Sequence, residues 1–290
     1  MPPLFQMSEL SPTQVDGKPT IVDIPSSFVK FNSTPYVVIA IACGHKEDNT
    51  IVTCPIEHGG CGAQLLLSGV RSPLLVPVRF MLATSHFELP LNAIVSTLVE
   101  AGRLCTEAKQ IMTKEAIRLG AKYILYLDDD ILAPTNGLYK LYTFMERNSE
   151  VGAIGGVCTT RQDPVEPIVY LEHGKGAWWD FPNKPAQVFA VGGGFLFARV
   201  SAIKDIIEKL KVENNDVEIP IWADEYRART DTNNIEIMLG SDKRFCNLMN
   251  KYGYPVYVHG DVWCKHLDIT TDTLYEMPNR SKDAKSKSNA

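Results

Sequence analysis

Tyr123-Ile-Leu-Tyr-Leu127 is an unbroken apolar run that ends directly on three aspartates, Asp128, Asp129 and Asp130, and no other feature restricts the chain so strongly. Such a run suits a strand buried on both faces. The carboxylates at its end do nothing for strand stability, because like charges held close repel unless a cation lies among them. Alternation along a strand predicts Asp128 and Asp130 on one side and Asp129 on the other. The ion suited to such a pair is Mg²⁺ or Mn²⁺, which takes oxygen ligands and keeps waters or substrate phosphates in its remaining positions. The structural alternative is an acidic turn in which one Asp caps a helix starting near Pro134; a cap uses one carboxylate, not three.

The flanking pattern alternates between strand and helix. Tyr36–Ala42 and Val76–Thr84 read as strands, as do Val151–Cys158, Val188–Ala198 and Tyr254–Val258. Leu104, Ala108, Ile111, Met112, Ala116 and Leu119 recur at helical spacing, with Gly120 placed to stop that helix. Leu138, Leu141, Tyr142 and Met145 mark a second helix. Ile203, Ile206, Ile207 and Leu210 mark a third that Ser201 is expected to cap, and Phe245, Leu248, Met249 and Tyr252 a fourth closed by Gly253. This order predicts an α/β class fold: a mixed, mostly parallel sheet flanked by helices, with ligands at the carboxyl ends of the strands.

Residues 1–34 read as an irregular arm, 35–269 as the folded domain and 270–290 as a mobile tail. A net charge of −5 over 290 residues argues against nonspecific nucleic-acid binding, which needs a basic surface. The chain holds no run of eighteen apolar residues and predicts no transmembrane segment. MPPLFQMSELSP lacks the pattern of a signal peptide, and the seven scattered cysteines suit reduced thiols, so a cytoplasmic protein is expected.

The segment Ala121–Pro134, AKYILYLDDDILAP, resembles the DxD segment of GT-A-fold (Rossmann-like), family 2-like glycosyltransferases. Glu100–Ile117 resembles that group's helix, with Ala108-Lys109-Gln110 where Ala-Arg-Asn is usual. VGAIGGVCTTR, FAVGGGFLFARVSAI (Phe189–Ile203) and Gly240–Asp268 resemble the strands and helices that follow, in consistent order. The resemblance implies transfer of a sugar from a nucleotide-diphosphate donor, a UDP-sugar being favoured, to a hydroxyl of a carbohydrate or other acceptor, with Mn²⁺ or Mg²⁺ as cofactor. It implies Asp130 as metal ligand, Asp128 at the ribose or the metal's water shell, Asp129 in a supporting part of the donor loop, and His266 as a second protein ligand. Gly193 and Gly194 would lie beneath the donor sugar, and Lys109 would serve the donor site without the bidentate fork of arginine. Asp242 matches the acid that acts as base in inverting members, with Ser241 capping its helix and the helix amino end stabilising the carboxylate; a retaining course is the alternative. Asp224 and Glu225 are reserve bases. Trp222 is either a sugar platform or a packed core residue, and Trp178 and Trp179 are placed for the acceptor side.

Other readings stand beside this one. A nucleotidyltransferase would also use carboxylates and Mg²⁺, but it calls for a glycine- and base-rich phosphate loop near the amino terminus. A noncatalytic nucleotide- or carbohydrate-binding protein on the same fold would bind donor without turnover. Cys43, His45, Cys54, His58 and Cys61 hold enough soft ligands for a structural zinc, but with irregular spacing; a glycine-rich loop with thiols is the alternative.

Overall fold

The Tyr123–Asp128 strand divides the molecule into two layers. Ile124 and Tyr126 face one apolar cluster, while Tyr123, Leu125 and Leu127 face the other, and all five are buried. The computed structural model describes residues 36–43, 78–89, 94–101, 103–173, 176–228 and 235–277. His45, Cys54, His58 and Cys61, residues 1–34 and the end of the chain from residue 278 lie outside these.

In chain order the elements are β1 (Tyr36–Cys43), α1 (Val78–Ser85), β2 (Ile94–Ala101), α2 (Cys105–Arg118), β3 (Tyr123–Asp128), β4 (Ile131–Leu132) and α3 (Gly137–Arg147). There follow β5 (Ala153–Val157), β6 (Val169–Tyr170), β7 (Pro185–Val188), β8 (Ala190–Val191), β9 (Phe195–Arg199) and α4 (Val200–Glu213). The last are β10 (Glu225–Ala228), β11 (Ile235–Leu239), α5 (Ser241–Lys251), β12 (Val256–Trp263), β13 (Lys265–Asp268) and β14 (Thr273–Tyr275). Seven strands form the main sheet in the order β2-β1-β3-β9-β5-β12-β7. β2, β1, β3, β5 and β12 run one way, and β9 and β7 run against them. The expected mixed, mostly parallel sheet flanked by helices is thus present.

Helix burial follows the apolar spacing. Ala108, Met112 and Ala116 are buried along α2, Leu138, Leu141 and Met145 along α3, Ile203, Ile206 and Leu210 along α4, and Phe245, Leu248 and Met249 along α5. Gly120 and Gly253 adopt φ of 71° and 87° just past α2 and α5, the left-handed conformation that lets a chain leave a helix.

Several expectations are corrected. Val76–Thr84 is not a strand: from Val78 it is α1, which lies over the sheet instead of joining it. Its apolar residues do not all go inside, since Phe80 is fully buried while Leu82 is 58% exposed. Val188–Ala198 is three short strands, interrupted at Gly192–Gly194. Ser201 lies inside α4, and Arg199 holds the cap position, anchored by its guanidinium to the carbonyls of Val151, Met145 and Asn148. Glu100 and Ala101 end β2, so the helix of the Glu100–Ile117 segment starts only at Cys105. Residues 273–275 pair with β13 and are no mobile tail, because β13 and β4 give that short segment a sheet to join.

Candidate active site

β9 runs antiparallel to β3, so the turn that leads into β9 lies at the same edge of the sheet as the end of β3. Asp128 N–H donates to the Gly194 carbonyl at 3.0 Å and fixes that junction. Asp128 is in step with Ile124 and Tyr126, on the face that α2 covers. Lys109 of α2, whose side chain is only 2% exposed, meets it there. Its ammonium lies 3.0 and 3.2 Å from the two Asp128 carboxylate oxygens, 3.1 Å from the Gly193 carbonyl and 3.9 Å from Oδ1 of Asp242. It also sits 5.0 Å from the centre of the Trp222 ring. Burial alone would push this ammonium down, but Asp128 and Asp242 outweigh it and hold Lys109 well above the ordinary lysine value. Burial likewise pushes the Asp128 carboxyl up, with Lys109 opposing and Asp242 and Asp130 adding to the rise.

Asp242 closes this group from the first turn of α5. Its Oδ2 accepts the Gly193 N–H at 2.9 Å, and its side chain is 36% exposed. A Cβ on Gly193 would come within 2.5 Å of Asp242 Oδ1 and 3.1 Å of the Lys109 ammonium; one on Gly194 would meet Ile131 at 2.7 Å. The glycines therefore admit side chains of the site itself. Ser241 is not a cap: Gly240 holds that position, and the Ser241 N–H donates to Asp224 Oδ1 at 2.8 Å. Asp224 thus supports the start of α5, and Glu225 is exposed at the start of β10.

β3 stops at Asp128, so the alternation expected of the three aspartates does not continue. Asp129 is buried, and its N–H reaches the Ala42 carbonyl at 3.4 Å. Asp130 faces β13 and the segment after β5. His266 Nε2 lies 3.2 Å from Asp130 Oδ2, and Arg161 Nη1 lies 3.3 Å from the same oxygen. Burial pushes Asp130 up, but His266 and Arg161 outweigh it and leave its carboxyl below the ordinary value.

His266 Nδ1 is 2.6 Å from the Thr159 carbonyl, which can only accept, so Nδ1 carries hydrogen. A protonated ring donates its Nε2–H to the Asp130 carboxylate; in the neutral ring Nε2 instead presents a lone pair to that oxygen, an arrangement that a cation between them satisfies. A backbone carbonyl orienting the second ring nitrogen is also the usual support of a metal-bound histidine. Asp130 and His266 therefore fit a divalent ion as a two-residue set. Among the described residues no group of three or more His, Cys, Asp or Glu side chains is gathered for a metal, so water and substrate oxygens would supply the remaining ligands.

The sequence-derived residues thus fall into two adjoining groups, Lys109–Asp128–Gly193–Asp242 and Asp130–His266. Arg161, Thr159 and Cys105, whose thiol lies 3.6 Å from Asp128 Oδ1, join them unannounced. Arg161 and Thr159 stand just past the end of β5, at the sheet edge where ligands are expected, and that placement was the available signal. Trp222 is a core residue, stacked on Phe245 with ring centres 4.5 Å apart. Trp178 packs edge-on against Phe181, and Trp179 is exposed. On the outer side of Asp242, the Lys243 ammonium lies 3.7 Å above the Tyr170 ring. A groove of about 570 Å³ beside Leu171, Val188, Phe189, Asn250 and Pro255 has no titratable side chain in its lining and offers no group for chemistry.

Gln110 explains its own presence in the Lys109-Gln110 pair. Its Oε1 accepts the N–H groups of Ile221 and Trp222 at 3.1 and 3.2 Å and holds the segment that carries Trp222 under Lys109. Gln110→Ala leaves both donors without that acceptor and should cost about 1–3 kcal/mol, read as a lower midpoint in urea denaturation with unchanged slope.

No protein-family model matches the chain, and no curated protein does. The solved structures that the chain resembles include the following. One is A197 from STIV, at 11% identity and a TM-score of 0.45 over 85% of this chain and 96% of that one. Another is GalNAc-T7 with UDP, GalNAc and Mn²⁺, at 12% identity and a TM-score of 0.43 over 81% of this chain and 44% of that one. The third is S. aureus TarS 1–349 in complex with UDP-GlcNAc, at 13% identity and 0.37 over 79% and 56%. This chain spans less than two thirds of either of the last two. The chemical reading rests on the site and on the sequence motifs.

Proposed function

We propose that this chain is a metal-dependent glycosyltransferase that moves a sugar from a nucleotide-diphosphate sugar, a UDP-sugar being favoured, to a hydroxyl of a carbohydrate or other acceptor, with inversion. One observation carries the reading: Asp130 with His266, and Asp242 with Lys109 and Asp128, adjoin at the carboxyl edge of an α/β sheet, where such sheets bind ligands. The motif order of the sequence, with its resemblance to GT-A-fold enzymes, supports it.

In this reading Asp130 and His266 hold Mn²⁺ or Mg²⁺, the imidazole favouring Mn²⁺, and Asp128 contacts the ribose or the ion's water shell. An ion held there would supply Lewis-acid charge to offset the negative charge that develops on the departing diphosphate. Lys109 is sealed beneath Asp128 and acts on the donor through the groups it holds. Asp129, buried behind them, supports the loop, and Gly193 and Gly194 keep the floor of the site low. Asp242 takes the proton of the attacking hydroxyl: its Oδ2 is oriented by the Gly193 N–H, the Lys109 ammonium stands 3.9 Å from its Oδ1, and its carboxylate is open to solvent.

Calorimetric titration of UDP, GDP, CDP and TDP, with Mn²⁺ and then with EDTA, tests the donor site. One diphosphate should bind with Mn²⁺ only, and Asp130→Ala should weaken it at least about a hundredfold, the loss seen when a charged ligand is removed. If no diphosphate binds wild type under either condition, the transferase reading is wrong.

A further inference from the structure

The two cations beside the aspartates differ in kind. Lys109 is buried and ringed by acceptors. Arg161 is 48% exposed, yet its Nη1 reaches Oδ2 of Asp130, whose own side chain is only 17% exposed. That oxygen is the one His266 Nε2 faces at 3.2 Å. A guanidinium therefore lies on the atom that the proposed ion would need. Its base is fixed: the Thr160 N–H donates to the Glu166 carbonyl at 2.9 Å, the Glu166 N–H donates to Thr160 Oγ1 at 2.9 Å, and Thr159 is bridged to Pro167. The loop holds the stem while the half-solvated head can turn.

We infer that Arg161 occupies the cation position on Asp130 until a divalent ion arrives, and then turns to grip the diphosphate of the donor. This rests on the glycosyltransferase reading. Arg161 makes a single 3.3 Å contact from a half-exposed side chain, and such a pair is worth much less than a fully buried one, so a dication arriving at the same oxygen displaces the guanidinium at modest cost, and two cations on one oxygen repel. Released, the head has the Asp268 carboxylate within electrostatic reach and the non-bridging phosphate oxygens that accompany the ion. Its planar fork matches those phosphate oxygens bidentately, as a lysine ammonium would not. Arg161 thus makes the ion and the diphosphate bind best together: it opposes the ion alone and favours the pair.

The effects of removing it should have opposite signs. Calorimetry of wild type, Arg161→Met and Arg161→Lys would read Mn²⁺ alone, and then UDP in saturating Mn²⁺. Arg161→Met should bind Mn²⁺ alone about threefold or more tighter, and UDP with Mn²⁺ about tenfold weaker, the order expected for one charge-assisted contact. Arg161→Lys should recover the competition with Mn²⁺ but less than half of the UDP affinity, in free-energy terms. If both affinities fall together in Arg161→Met, the residue only supports its loop and the inference is wrong. It is equally wrong if wild type binds both probes and Arg161→Met matches it. If wild type binds neither probe, the glycosyltransferase reading fails first and takes this inference with it.

Discussion

Lys109→Met is expected to destabilise the protein by about 3 kcal/mol, the largest loss of stability from any single change at the site. Removing one partner of a buried pair typically costs 3–5 kcal/mol because a charge is left uncompensated in a poorly solvated place. The low end applies here, since Asp128 and Asp242 retain 25% and 36% of their side-chain exposure and water screens part of their repulsion. Methionine nearly fills the lysine volume, so the loss reports charge and hydrogen bonding more than a cavity. The Gly193 carbonyl also loses its donor, and Gly193 holds Asp242. Adding Asp128→Asn to Lys109→Met should return at least about 1 kcal/mol by removing one of the two opposed carboxylates, a non-additivity expected of residues in contact. Lys109→Arg should not rescue, because a planar guanidinium has to fit between Trp222 and Gly193 where a point charge now sits. Urea denaturation of wild type and the three variants measures all of this. A loss below about 1 kcal/mol for Lys109→Met would mean that the carboxylates are held apart without it.

How much of this was legible depended on the kind of signal. The β3 run could be read because alternation decides burial on both sides of a sheet: Ile124 and Tyr126 had to face one layer, and Asp128 followed in step. Gly120 and Gly253 could be read because few other residues leave a helix with positive φ. Val76–Thr84 could not be, since a nine-residue, mostly apolar stretch suits a covering helix as well as a strand, and only the pairing of β1 with β2 decides between them. Ser201 and Ser241 failed as caps because the helix entries are fixed by distant partners: three carbonyls on Arg199, and Asp224 on the Ser241 N–H. The order of motifs singled out Asp128, Asp130, Asp242 and His266 as candidates. Their division into two groups could not be read, because it depends on where β3 stops and on the burial of Lys109. Arg161 closes the VGAIGGVCTTR segment without a role assigned to it there; its meaning comes from reaching the same oxygen as His266.

Asp242→Asn should give the largest loss of turnover while leaving donor binding nearly intact. The amide keeps the shape of the carboxylate, and its oxygen can still accept the Gly193 N–H, so the turn before β9 holds its place. Lys109 keeps Asp128 as counter-ion at 3.0 Å, so the buried ammonium is not left alone. What disappears is the carboxylate at the solvent-open side of this cluster, the group proposed to take a proton from an attacking hydroxyl. A positioned general base contributes roughly 10²–10⁴-fold to rate, and kcat for diphosphate release from the matching nucleotide sugar should fall by that factor. The calorimetric Kd of the diphosphate with Mn²⁺ should stay within about threefold, a difference under 1 kcal/mol. Asp130→Ala should show the opposite division, with binding lost first, since its oxygen faces His266 and the proposed ion. The contrast matters because both residues are aspartates of one small site, and a general collapse would move both measurements in both variants. If Asp242→Asn keeps kcat within about fivefold, which a base contribution of that size does not allow, Asp242 is a structural partner of Lys109 and Gly193. The proton must then leave by another route. Of the two reserve bases, Asp224 already receives the Ser241 N–H on its carboxylate at the start of α5, so a base acting from there would have to release the helix that carries Asp242.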